Sequence, residues 1–210
     1  MIAAGGAVDR LTAALACCAD SGPLILLPPV LLVAVALDDA LLLPRAPSYL
    51  VLGLLDEPAH LATSLILLVA VAALLARAGR AVRTGFAVGL VLAGNLIDAD
   101  HLPMVLGSDM ITAGTPRPYS HSVTLLMLVI LAALVGRGRV RAVAAGVAVG
   151  VAGHLIRDLG TAPIALLWPL SPQGLTVPHR LYLALLAWCA LAPLVVRVLN
   201  PLHGPADTPH

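Results

Sequence analysis

From Leu24 to Val196 the chain is a series of apolar runs separated by short turns whose basic residues are all arginine, and this pattern limits its fold more than any motif does. With 60% hydrophobic and 11% charged residues and a mean hydropathy of +1.00, it lies far outside soluble globular composition. A bilayer core offers the backbone no water, so helices that satisfy their own N–H and C=O groups are expected to cross it. The expected fold is all-α, a polytopic membrane helical bundle in a single integral-membrane domain over residues 1–210. In residues 1–20, Asp9 and Arg10 precede a short Leu/Ala run without the basic start and long apolar centre of a cleaved signal. That segment is expected to be a retained amphipathic helix, and residues 200–210 a C-terminal tail.

Five spans are clear, at 60–76, 84–97, 121–136, 141–156 and 181–196. Several fall short of the ~20 residues that cross a bilayer comfortably, which calls for polar flanks at the headgroups or local thinning. Ahead of them, Pro28-Pro29 and Asp38-Asp39 interrupt an apolar stretch that resumes at 49–55. It is read as one kinked span, with two short spans as the alternative. About six spans result. Arg77, Arg80 and Arg83 crowd one turn, and Arg137, Arg139 and Arg141 crowd another two spans later. The positive-inside rule places both turns and both termini in the cytoplasm, with Arg45 the exception.

This orientation sorts the ionisable residues to one face. His60, Asp98, Asp100, His101, His121, His154, Asp158 and His179 fall at the outward ends, and the cytoplasmic halves of the five clear spans contain no Asp, Glu or His. Such sorting points to one convergent site near the outer membrane face. Cys17, Cys18 and Cys189 are too few and too badly spaced for a disulfide framework or a thiolate zinc site. A net charge of +1 with no basic stripe argues against a nucleic-acid partner. There is no G-x-S-x-G elbow, H-E-x-x-H motif, P-loop or dinucleotide fingerprint.

In Gly153-His154-Leu155-Ile156-Arg157-Asp158 an imidazole and a carboxylate stand four residues apart. On a helix they share one face, where they can grip one metal ion or bridge two. Asp98-Ala99-Asp100-His101 adds donors suited to zinc or manganese. Ser120 is expected to cap the following helix and leave His121 facing its outward neighbours, and His60 follows Asp56-Glu57-Pro58 at another span's start. An Asp at bilayer depth costs ~2.5–3.5 kcal/mol on insertion scales, less near the surface, and a bound cation is one compensation. A buried hydrogen-bonded His154–Asp158 pair locking two spans is the alternative.

Taken in order, these residues resemble the YdjM-type predicted membrane-bound metal-dependent hydrolases. That family's pattern is D-x-D-H, a later T-H-S, then S/G-H-x-x-x-D-x-x-T followed by W-P. The chain has Asp98-Ala99-Asp100-His101, Ser120-His121-Ser122, and Gly153-His154 through Asp158 to Thr161, with Leu167-Trp168-Pro169 beyond. His60 looks like the family's early histidine. Ile97 stands where the family usually has Pro, and Pro116 where it has the His of a His-Arg pair. The family is itself similar to the zinc-dependent phospholipase C and single-strand nuclease superfamily, helical proteins that bind zinc clusters and cleave phosphoesters. By that resemblance His60, an Asp of the 98/100 pair, His121, His154 and Asp158 would be ligands.

The resulting expectation is a hydrolase of the plasma membrane using one or two divalent ions, zinc preferred. His60, Asp98, Asp100, His101, His121, His154 and Asp158 are the candidate ligands, and Asp98, Asp100 and Arg117 the candidate catalytic groups. Either member of the 98/100 pair can be the ligand, the other taking a proton from water. Arg117, with Arg180 as a second candidate, would hold an anionic phosphate, so membrane lipids or another phosphoester are the expected partners. The rivals are an ion or metal transporter, which needs an ionisable relay that the inner halves lack, and a structural metal stapling the helices. In reporter fusions, a periplasm-active reporter should be silent at position 138 and active at position 110. The opposite result would invert the orientation.

Overall fold

The computed structural model describes residues 24–112, 115 and 117–199, so the expected N-terminal amphipathic segment and C-terminal tail lie outside the described residues. The described chain is all-helical, with six main helices and no strands. Helix α1 is Leu27–Leu37, with Pro28 and Pro29 in its first turn, where a missing N–H breaks no intrahelical bond. It runs on through a π-helical turn, Asp38–Leu42, and a 3-10 turn, Leu43–Arg45. Helix α2, Tyr49–Arg77, is 29 residues long and is capped by the Ser48 side chain, which accepts a hydrogen bond from the Val51 N–H at 3.3 Å.

The stretch 49–55 therefore belongs to the second span and not to the first. Asp56, Glu57 and Pro58, which separate that stretch from 60–76, all lie inside α2. The first span is Leu27–Arg45 alone, and the count near six stands.

Helix α3, Thr84–Leu96, continues through the 3-10 turn Ile97–His101 into a short α4, Leu102–Val105. Helix α5 is Val123–Val135, α6 is Gly138–Thr161 and α7 is His179–Leu199. Five helical segments are long and apolar enough to cross a membrane, and α5, at 13 residues, is a shorter apolar helix. Exposed apolar side chains such as Leu92, Leu131, Trp188 and Val195 make an outer surface suited to lipid. Buried Val35, Ala59, Ile66, Tyr182 and Leu186 join α1, α2 and α7.

The closest helix pairing is α3 against α6, and it is built from glycine. A Cβ on Gly146 would fall on the Phe86 backbone, one on Gly150 on the Leu90 carbonyl, and one on Gly89 would come within 2.5 Å of the Val143 carbonyl oxygen. Backbones can meet at this range only where side chains are absent, as is usual for helix pairs in lipid. Gly146→Leu should therefore cost at least about 1–3 kcal/mol, because the neighbour to be displaced is backbone. Thermal unfolding in detergent measures it. An unchanged melting temperature would mean that α3 and α6 do not pack in this way.

Candidate metal centre

Four ligand atoms converge where α3, the loop before α5, and α6 meet. His154 and Asp158 project from α6 one turn apart, with His154 Nε2 and Asp158 Oδ2 separated by 3.4 Å, as their spacing predicts. His121 Nε2 lies 3.1 Å from His154 Nε2, 3.4 Å from Asp158 Oδ2 and 3.2 Å from Asp98 Oδ1. Asp98 Oδ1 is 3.5 Å from His154 Nε2. A tetrahedral ion with bonds of about 2.0–2.1 Å implies ligand separations near 3.3–3.4 Å, which these values bracket. His121, His154 and Asp158 are fully buried, and Asp98 is mostly so.

The histidine tautomers agree with a cation. His154 Nδ1 lies 3.2 Å from the Gly94 carbonyl oxygen, which can only accept, so Nδ1 carries a proton and the neutral ring presents the Nε2 lone pair to the cluster. That lone pair faces a second imidazole nitrogen and two carboxylate oxygens. With the ring neutral, that arrangement can hold a cation at its centre.

A second group adjoins the first. His60 Nε2 lies 3.3 Å from Asp56 Oδ2, 3.6 Å from Asp98 Oδ2 and 3.7 Å from Asp158 Oδ1. Asp98 and Asp158 each turn one oxygen to the first group and the other to His60. Buried His60 Nε2 and Asp158 Oδ1 have no hydrogen-bond partner, which is costly unless something else satisfies them. The His60 and His154 rings stack at 4.0 Å. Asp56, His60 and Asp158 thus form a second group able to hold a metal ion, with Asp158 common to both.

Asp100 and His101 stand beside this set. Asp100 accepts a hydrogen bond from the Ser120 hydroxyl, faces His101 Nδ1 at 3.1 Å, and lies 3.6 Å from His121 Nδ1. Asp100, His101 and His121 form a third possible metal group, although His121 there would offer the nitrogen opposite to the one in the first. Ser120 does not cap the next helix. That helix begins at Val123, and Ser120 is spent on Asp100. Arg117 donates to Asp158 Oδ2 at 3.0 Å, and Arg180 is exposed at the start of α7.

Sequence reasoning gave no role to Asp39, Asp56 or Arg157. Arg157 is fully buried and donates through Nε to Asp56 Oδ1 at 3.0 Å, through Nη2 to Asp39 Oδ1 at 2.9 Å and through Nη1 to the Tyr182 hydroxyl at 3.0 Å. A signal for Asp56 was present, since Asp56 and His60 repeat the four-residue spacing of His154 and Asp158. The Trp168-Pro169 segment also has a place. Trp168 stacks on Tyr119 at 4.4 Å and accepts from the Thr124 hydroxyl, while the Val123 N–H donates to the Leu166 carbonyl at 2.8 Å. These contacts fix the loop that carries His121.

Fold and site together define a multi-pass helical membrane protein with a buried His/Asp cluster able to hold a metal ion. The chain matches the family model of the YdjM inner membrane protein over residues 55–204 and belongs to that family, a family of the inner (plasma) membrane. No curated protein and no solved structure matches it.

The purified protein should carry divalent metal, and His154→Ala should lose much of it by opening the coordination sphere. Elemental analysis decides this. Unchanged metal in both His154→Ala and Asp158→Ala would leave a hydrogen-bonded pair as the better account.

Proposed function

We propose that the protein is a membrane-bound metal-dependent hydrolase of phosphoesters, with zinc as the preferred ion and its site at the extracytoplasmic face. One observation carries the reading: the ligand atoms of Asp98, His121, His154 and Asp158 meet at metal-like separations, and Asp98 also lines an open groove together with His101 and Arg117. A cluster that is both metal-sized and reachable suits chemistry better than stapling, since a structural site is closed by protein ligands. The outer-face assignment rests on the arginine turns.

Asp98, His121, His154 and Asp158 are the residues that would hold an ion, and Asp56, His60 and Asp158 those that would hold a second. Ions bound there supply Lewis-acid activation of water and of the ester oxygen. The chain does the rest. Gly94 fixes the His154 tautomer, and Asp100 orients His121 and His101. Arg117, beside the cluster, positions an anionic phosphate. With Asp98 drawn into the ligand set, Asp100 is the member of the pair left to accept the water's proton, held ready by the Ser120 hydroxyl.

The two aspartates should therefore separate. Asp98→Asn should lose metal, whereas Asp100→Asn should keep most of it and lose roughly 10²–10⁴-fold in turnover, the usual worth of a positioned base. Metal content and phosphodiester hydrolysis, measured side by side, test this. A metal-loaded structure with four protein ligands closed around the ion and no water would sink the hydrolase reading.

A further inference from the structure

A groove of about 170 Å³ runs between the start of α2 and the α4 turn, and its two ends differ in chemistry. Its wall is Leu50, Gly53, Leu54, Leu102 and Val105. Leu50, Leu54 and Leu102 are 56%, 66% and 60% exposed, on helices that would lie in the bilayer, so the mouth opens sideways toward lipid. Gly53 has nothing within 4 Å of the place its Cβ would take. The inner end is Asp56, Glu57, Asp98, His101 and Arg117, which is the edge of the metal cluster. A second cavity of about 410 Å³ reaches Asp56 and Arg117 from the side of Asp39, Thr161 and His179, without touching Gly53.

A soluble ester has no use for an apolar slot facing acyl chains, whereas an alkyl chain in that slot carries its own headgroup to the cluster. We propose that the groove receives one alkyl chain of a membrane phospholipid, admitted sideways from the leaflet, and presents its phosphate at the Asp98 and Arg117 end. The identity of the headgroup rests on the hydrolase reading, but the alkyl chain does not. Leu50 and Leu54, one turn apart on α2, face Leu102 and Val105 across the slot. The second cavity leaves water-soluble phosphodiesters a separate route to the same cluster.

The test counts bound lipid on zinc-loaded protein in detergent by native mass spectrometry. The probe is a dioleoyl phosphonolipid with carbon in place of the ester oxygen between glycerol and phosphorus. The unmodified chain should retain one probe molecule. Gly53→Trp, whose indole fills the slot, should retain at least tenfold less, and Gly53→Leu should lose part of the retention. Leu131→Trp on the outer surface of α5 should retain as much as the unmodified chain, and all variants should keep their zinc. Equal retention in Gly53→Trp and the unmodified protein overturns the proposal, as does an equal loss in Leu131→Trp. If Gly53→Trp fails to keep zinc, Gly53→Leu decides by the same criterion. Turnover is read separately, on a water-soluble phosphodiester with the unmodified protein. Absence of all hydrolysis together with the expected lipid pattern removes the hydrolase reading and upholds the groove.

Discussion

The glycine contact between α3 and α6 is the interaction on which the rest depends. It lets two backbones touch at Gly89, Gly146 and Gly150, and just beyond that contact the Gly94 carbonyl comes within 3.2 Å of His154 Nδ1. A side chain in the seam would push the helices apart and leave that ring nitrogen without an acceptor. The ring could then turn, and its Nε2 would no longer point at Asp98, His121 and Asp158. The packing of two apolar helices thus sets the protonation of a buried histidine.

Charge is the second constraint. Asp39, Asp56, Asp98, Asp100 and Asp158 all crowd one end of the helix bundle, and among the described residues the fixed cations paired with them are Arg157 and Arg117. Arg157 is the internal counter-ion. Its planar guanidinium donates to Asp56, Asp39 and the Tyr182 hydroxyl through three different nitrogens. By occupying Asp56 Oδ1 it turns the other oxygen toward His60. Arg117 balances Asp158 alone, so Asp98 and Asp100 are left to histidines and a hydroxyl. Carboxylates in such surroundings form a cluster able to hold a metal ion.

Much of this was legible in the sequence. The one-sided sorting of His60, Asp98, His121, His154 and Asp158 named four elements of one site before any geometry, because alternating helices bring every second helix end to the same face. The helix carrying His154 and Asp158 set their separation by its pitch. The first span is where the reading failed: the stretch 49–55 is set apart from 60–76 by Asp56-Glu57-Pro58, yet α2 begins at Tyr49 and runs through all three. Arg157 went unread because an arginine next to a ligand on an apolar helix gives no sign, in sequence alone, of pointing inward. The G-x-x-x-G spacings at 85/89 and 146/150 were visible and would have predicted the α3–α6 seam. Ser120 could be read only locally, and its local role gave way to a carboxylate twenty residues earlier.

Where the cluster is covered and where it is open also follows from two loops and not from the helices. The loop before α5 holds His121 at 0% exposure, and the 162–178 connection is pinned over it by the Tyr119–Trp168 stack and by the Val123 N–H on the Leu166 carbonyl. That second connection is itself stiffened by the paired backbone bonds of Ile164 and Leu175, at 3.1 and 2.8 Å. Two segments without helical bonding of their own can bury ligands in this way only because each satisfies the other's backbone. Among the described residues no such cover lies between α2 and the α4 turn, where Gly53 leaves the wall thin and leucines line the gap. The site is therefore most shielded beneath its loops and most accessible on the flank that a bilayer would wet with hydrocarbon, an asymmetry that a purely structural metal would not require.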